Sequence, residues 1–237
     1  DLGGHSLLAT QLATAIRSRF DMDMPLRVVF EHPSIQDLAA WIDGQAQGTG
    51  LPSIEPRGDV AGVLSYAQRR LWMLSRLGDA ARAYNIPRAL ALSGALDEDA
   101  LVRAFAAIVA RHENLRLCFP ERSGEPLVQV SPPYSPLAIV DLLDVPADER
   151  GDIVERRRHA HATRRFDLGE GPLFSAELLR TGEQAHVLLI NLQHIVGDGW
   201  SIGVFMQELA ALYGAFREGR ASPLAPLSIQ YPDYAAW

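Results

Sequence analysis

The sequence predicts an α+β protein in two unequal parts, and three observations carry that expectation. Residues 1–43 show helical spacing of apolar residues and no strand pattern. From Val63 onward, helix-period and strand-period segments alternate. Between them runs a stretch rich in Gln, Gly, Thr, Ser and Pro in which periodicity lapses. The expected boundaries are 1–43 for a small helical unit, 44–62 for a linker and 63–237 for a larger α/β lobe.

In the small unit, Leu7, Leu8, Gln11, Leu12, Ala15 and Ile16 recur at helical spacing behind Gly3-Gly4, with Ser6 at the helix start. Met22 to Phe30 reads as a connection containing a short helical turn. Pro33-Ser34 opens a second helix through Ile35, Leu38, Ala39 and Ile42. Helices this short must pack on one another, because nucleation is costly relative to propagation. By spacing alone, Ser6 is an N-cap hydroxyl. In the linker, Pro52 and Pro56 stiffen the second half.

In the larger part, Tyr66 to Leu77 predicts an amphipathic helix and Arg88 to Leu92 a strand. Asp97 to His112 predicts a helix with Asp97, Glu98 and Asp99 in its first turn, complementing the dipole, and Leu101, Phe105, Ile108 and Val109 on its apolar face. Leu115 to Phe119 and Leu127 to Val130 read as strands about a turn at Gly124. Asp148 to Arg165 is a polar, arginine-rich helix. Phe174 to Arg180 and Ala185 to His194 form a hairpin around Thr181-Gly-Glu-Gln184, and Ser201 to Phe216 a further amphipathic helix. Trp72, Phe105 and Phe119 are packing residues.

Composition narrows the function classes. A 237-residue chain with 48% hydrophobic residues can bury a substantial core. Its net charge of −7, without a Lys/Arg-rich run, argues against nucleic acid as a partner. Arg156-Arg-Arg158 with Arg164-Arg165 reads as a solvated helix face, with an anionic partner as the alternative. The single cysteine, Cys118, excludes an intrachain disulfide, reads as a core thiol and fits a cytoplasmic setting. No apolar run reaches membrane-spanning length. His159, His161 and His186 lack clustered acidic or thiol partners, so no metal is expected. A start at Asp1 without Met, and an end at Trp237 in mid-pattern, predict a piece of a longer polypeptide.

The stretch Leu188 to Ser201 draws the functional reading. Leu188, Leu189, Ile190 and Leu192 form an apolar run stopped by Gly197-Asp198-Gly199, which predicts a buried strand delivering His194 to its open end. Imidazole is the side chain suited to proton transfer near neutral pH. Asp198, in a tight turn, can fold back onto backbone donors or reach a basic partner. On these residues alone, a satisfied core histidine beside an ordinary turn remains open.

The same segment resembles the His-His-x-x-x-Asp-Gly motif of condensation domains from non-ribosomal peptide synthetases. His194, Asp198, Gly199 and Ser201 match it, and Gln193 replaces the first His. Ser65-Tyr-Ala-Gln-Arg-Arg70-Leu-Trp72 resembles that family's opening motif. Arg111-His-Glu113-Asn-Leu-Arg116-Leu-Cys-Phe119 is similar to its second, with Leu117 in place of Thr, and Tyr231-Pro-Asp-Tyr234-Ala-Ala-Trp237 to its fourth. Upstream, Asp1-Leu-Gly-Gly-His-Ser6-Leu-Leu resembles the signature of peptidyl carrier domains, and Phe30-Glu-His-Pro33-Ser-Ile35 the approach to their last helix.

The resemblance implies the C-terminal part of a carrier bundle, truncated of its first helix, followed by the N-terminal lobe of a two-lobed, chloramphenicol-acetyltransferase-like α/β sandwich. It implies 4′-phosphopantetheine on Ser6, carrier-bound aminoacyl and peptidyl thioesters as substrates, and a phosphopantetheinyl transferase with carrier and adenylation domains as partners. The reaction implied is amide-bond formation between a donor thioester and an acceptor amine, with His194 managing the proton. Gly199 supplies a nearby backbone dipole. Asp198 is assigned to structure, through an ion pair with Arg111 or, failing that, Arg116. Gln193 and Ser201 support the loop, and Gln193 also argues against the heterocyclising relatives. Two other classes stay open: a docking lobe without turnover that recruits another enzyme, and a coenzyme A-dependent acyltransferase of the same fold.

Overall fold

The computed structural model describes residues 6–20, 22, 24–44, 53–56, 63–76 and 84–237. Two compact units divide at Ser53 and Ile54. The expected linker, 44–62, falls largely outside the described residues, as do Gly3-Gly4 and Leu77.

The first unit holds α1 (Ser6–Phe20), α2 (Leu26–Glu31) and α3 (Ile35–Asp43). The helix α3 starts where Ser34 accepts a hydrogen bond from the Asp37 N–H, which satisfies one orphan donor of the first turn. Ile16, Met24, Val28 and Leu38 form the core, flanked by Trp41 and Ile42. The short helical turn expected near Phe30 is α2.

The second unit is built on a sheet of order β1-β8-β7-β6, where β1 is Asn85–Ser93, β6 Leu137–Asp141, β7 Phe174–Gly182 and β8 Ala185–Gln193. Neighbours are antiparallel except β6 and β7, which run parallel. One face is covered by α5 (Glu98–Arg111) and α7 (Gly199–Arg217), the other by α6 (Ala147–Ala162). The helix α4 (Tyr66–Ser75) and the terminal α8 (Tyr231–Ala236) complete the unit. Short β2 (Leu117–Cys118) pairs with β5 (Gln129–Val130), enclosing the hairpin of β3 (Glu121–Arg122) and β4 (Glu125–Pro126). Ser123 and Gly124 both have positive φ, the geometry a two-residue hairpin turn needs, so the expected Gly124 turn is present.

Burial on both faces explains why β7 and β8 read as continuous apolar runs rather than alternating ones. Phe174, Leu178, Leu188, Ile190 and Leu192 join the larger core, while Leu179 and Leu189 join Leu142 beneath α6. The rings of Phe105, Phe174 and Phe205 meet at centroid separations of 5.4 to 6.3 Å and lock α5 and α7 onto the sheet.

Several expectations need correction. The strand β6 was not expected, because its apolar residues follow Pro132, Pro133 and Pro136 and only its first residue is buried. The strand β1 starts at Asn85 rather than Arg88; Pro87 disguises its start, and an edge strand tolerates a proline. The strand β8 stops at Gln193, so His194 opens a 3₁₀ turn, His194–Val196, instead of ending the strand. The helix α7 starts at Gly199, two residues before the expected Ser201.

Candidate active site

His194 sits exposed at the end of β8, in the centre of the sheet, and its N–H donates to the Tyr84 carbonyl at 2.8 Å. The turn that carries it is braced by side chains rather than by its own ladder. Gln193 is 1% exposed, and its Oε1 accepts the Ile195 N–H at 2.6 Å. Gln68 Nε2 donates to the Ile195 carbonyl at 3.4 Å, and Asn114 Nδ2 to the Val196 carbonyl at 2.7 Å. Each satisfies a backbone group that no regular element would pair.

Two of the braces, Gln68 and Asn114, come from the other motifs. Ser65 and Gln68 form a capping box at the start of α4: Gln68 N–H donates to Ser65 Oγ while Ser65 N–H donates to Gln68 Oε1. One amide therefore starts a helix with its oxygen and holds the His194 turn with its nitrogen. Ser65 Oγ also shares a 2.9 Å hydrogen bond with the Tyr231 hydroxyl. Gln230, preceding α8, donates to the Arg111 carbonyl and accepts the Glu113 N–H.

Asp198 is exposed and caps α7, its Oδ1 accepting from the Ser201 N–H at 2.9 Å and the Ser201 hydroxyl at 2.8 Å. Ser201 Oγ in turn accepts the Asp198 N–H, completing a capping box. The expected ion pair with Arg111 or Arg116 is absent: Arg111 Nε binds Glu208 Oε1 at 3.0 Å, and Arg116 donates to the Val109 and Ser131 carbonyls. A local cap three residues away closes more cheaply than a long-range pair.

Gly199 is the first residue of α7, and open space surrounds the position of a Cβ there. Gly197 is the constrained glycine: a Cβ would stand 2.5 Å from Leu192 Cδ1 and 3.3 Å from Ser201 Cβ, so a side chain there requires Leu192 to move.

Glu208 is the unforeseen residue. Buried at 9% exposure on α7, it receives Arg111 on Oε1 and lies 2.6 Å from His112 Nε2 on Oε2, which anchors the end of α5 to α7. An acid among Phe205, Leu209 and Leu212 on one helical stripe was the signal available in the sequence. Gln68 and Asn114 lie within the first and second motifs, where spacing alone gives them no role. Behind the turn lies a cavity of about 160 Å³ lined by Ile108, Leu115, Phe174, Leu192, Val196 and Phe205, with half-exposed Trp200 beside it.

Cys118 is buried, as expected of a core thiol. Among the described residues, no three His, Cys, Asp or Glu side chains gather as a metal site, and no helix is long and apolar enough to cross a membrane. Ser6 is the first residue of α1, a 15-residue helix without acidic residues in its first turn. A helix start of that kind suits a phosphodiester; the Ser6 side chain itself lies outside the described residues.

Comparisons with known proteins bear on both units. Residues 61–237 match the family model "Condensation domain", and residues 1–42 the model "Phosphopantetheine attachment site". A linear gramicidin synthase of Brevibacillus parabrevis is 42% identical over 243 residues, an alignment that takes in all of this chain and 3% of that protein. Among solved structures, the X-domain from teicoplanin biosynthesis superposes with TM-score 0.69 at 32% identity, over 78% of this chain and 40% of the other. The first condensation domain of the calcium-dependent antibiotic synthetase, in complex with a substrate analogue, gives TM-score 0.59 at 29% identity, over 71% and 42%.

Proposed function

Since this chain belongs to the condensation-domain family over residues 61–237, we propose that it forms amide bonds between carrier-tethered substrates in non-ribosomal peptide synthesis. The reaction joins the amine of an acceptor aminoacyl thioester to the carbonyl of a donor acyl or peptidyl thioester, releasing the donor thiol. Residues 1–42 carry a phosphopantetheine attachment site, and we assign the attachment to Ser6. When bound there, the arm supplies the thiol that tethers a substrate. We read 1–43 as the carrier portion, 44–62 as the linker and 63–237 as the N-terminal lobe, working in the cytoplasm with neighbouring carrier and adenylation domains and a phosphopantetheinyl transferase.

The observation that carries this reading is an exposed imidazole on a turn whose backbone is pinned by Gln193, Gln68 and Asn114. A neutral amine is already nucleophilic, so the protein's work is to orient it and take its proton. His194 accepts that proton or a hydrogen bond from the amine. The Gly199 N–H, at the positive end of α7, favours negative charge developing on the carbonyl oxygen. Asp198 and Ser201 fix the start of that helix, and Arg111 acts through Glu208 to hold α5 against it.

The test is single-turnover peptide-bond formation in the full-length synthetase containing this segment, with loaded donor and acceptor carriers and product followed by mass spectrometry. His194→Ala should lower the rate by about 10²–10⁴-fold. Ser6→Ala should abolish loading and, with it, product from this carrier.

A docking lobe without turnover is the second reading, favoured by Gln193 in the place of the family's first His and by likeness to the teicoplanin X-domain, another of whose structures is a complex with OxyB. Against it, Gln193 makes a buried hydrogen bond that orders the turn. No product from the native protein, with loading and folding confirmed, would favour this second reading.

A further inference from the structure

On the face of the sheet away from the core shared by α5 and α7, the end of α6 leaves a pocket of about 330 Å³ over β6 and β7. Its polar lining is Ser175 and Glu177 from β7, Arg157 and His161 from α6, and Arg164 just beyond. Arg157 and Glu177 form an ion pair and cancel. No carboxylate pairs with Arg164 among the described residues; its guanidinium lies 5.5 Å from the Phe166 ring centroid. The pocket is therefore left with one uncompensated cation.

Its floor is built rather than incidental. Ser175 is 7% exposed, and its hydroxyl shares a 3.3 Å hydrogen bond with His161 Nε2. Asn191, the cross-strand partner of Ser175, is fully buried; its Nδ2 donates to the His161 carbonyl at 2.6 Å, while its Oδ1 has no partner. Burial first, and Arg164 second, depress the His161 pKa to about 4, so the ring is neutral at pH 7 and keeps one N–H donor. On the ring's other side a second pocket, of about 120 Å³, is bounded by Arg88 and Arg158, the latter paired with Glu155. The Arg164 guanidinium and the one hydrogen that the Ser175–His161 pair leaves free thus present donors around a space open to solvent. A planar carboxylate offers two oxygens to such a set, a tetrahedral oxyanion more.

We propose that this pocket between α6 and the β6–β7 face binds a phosphate-class oxyanion, held by Arg164 with one hydrogen bond from the Ser175–His161 pair. The site is independent of the His194 turn and does not rest on the amide-forming reading. A bound anion stabilises the protonated ring, so it raises the His161 pKa, whereas added cations do not.

The test follows the His161 ring signals by NMR in the intact chain, assigned against His161→Gln, while inorganic phosphate is added at constant ionic strength with chloride as the control. A saturable displacement specific to phosphate, an upward move of the His161 pKa from about 4, and about tenfold weaker binding in exposed Arg164→Gln are expected. The same displacement with chloride, no saturation, or unchanged affinity in Arg164→Gln would overturn the assignment. Pantetheine 4′-phosphate titrated beside inorganic phosphate separates an esterified from a free source: tighter binding of the ester assigns the former, equal binding the latter.

Discussion

The two ends of strand β8 are closed by different physics. At Ala185 the closure is local: Thr181 Oγ1 donates to the Ala185 carbonyl at 3.0 Å, and the register shift between Arg180 and Gly182 absorbs the turn. At Gln193 it is long-range: Gln68 and Asn114 reach the turn from 127 and 82 residues away. The first end closes on its own side chain, with Arg150 donating to the Thr181 carbonyl and the Gly94 N–H to the Gln184 carbonyl from outside it. Apart from the local Gln193 bond, the second is braced only once α4, the segment after α5, and the sheet have assembled, and that is the end where His194 stands. Placement of a reacting group to within a fraction of an ångström requires bracing from several directions, which a self-contained turn cannot give.

Variants can break this contrast, beginning with the strongest. Glu208→Ala should cost about 3–5 kcal/mol in chemical denaturation, because it strands a half-buried Arg111 and frees the end of α5 from α7. Asn114→Ala and Gln68→Ala should each cost about 1–3 kcal/mol by leaving a buried carbonyl unpaired, and each should slow turnover by up to about 100-fold as the His194 turn loosens. Asp198→Ala should cost about 1 kcal/mol of thermal stability, whereas Asp198→Asn, which keeps a capping oxygen and discards the charge, should cost only a few tenths. A large loss with Asn would point to an ionic role instead of a cap. Thr181→Val, at the other end of the strand, should stay within about 0.5 kcal/mol and leave turnover unchanged. If Thr181→Val cost as much as Asn114→Ala, the distinction between the two ends would fail.

The same distinction governs what the sequence made legible. Helices were readable where the stripe and the cap are local, as in α5 with Asp97 capping through the Ala100 N–H. The β7–β8 hairpin was readable from its apolar runs. The edge strand β6 was not, since a mostly exposed strand behind three prolines carries little apolar signal. At the site, motif resemblance singled out His194, Asp198, Gly199 and Ser201, while local chemistry would have given Asp198 its role had the cap been preferred to an ion pair. The work of Gln68, Asn114 and Glu208 depends on which distant backbone or side chain they meet, and spacing holds no trace of that.

The double use of the Gln68 amide ties helix initiation to site order. If α4 frays at Ser65, the same side chain that leaves the Ser65 N–H also releases the Ile195 carbonyl, so the start of α4 and the His194 turn should share one opening event. A molecule that has docked α4 incorrectly then lacks the Gln68 brace of the His194 turn. For the amide-forming reaction proposed above, a cap of this kind would act as a folding checkpoint on when the chemistry can begin.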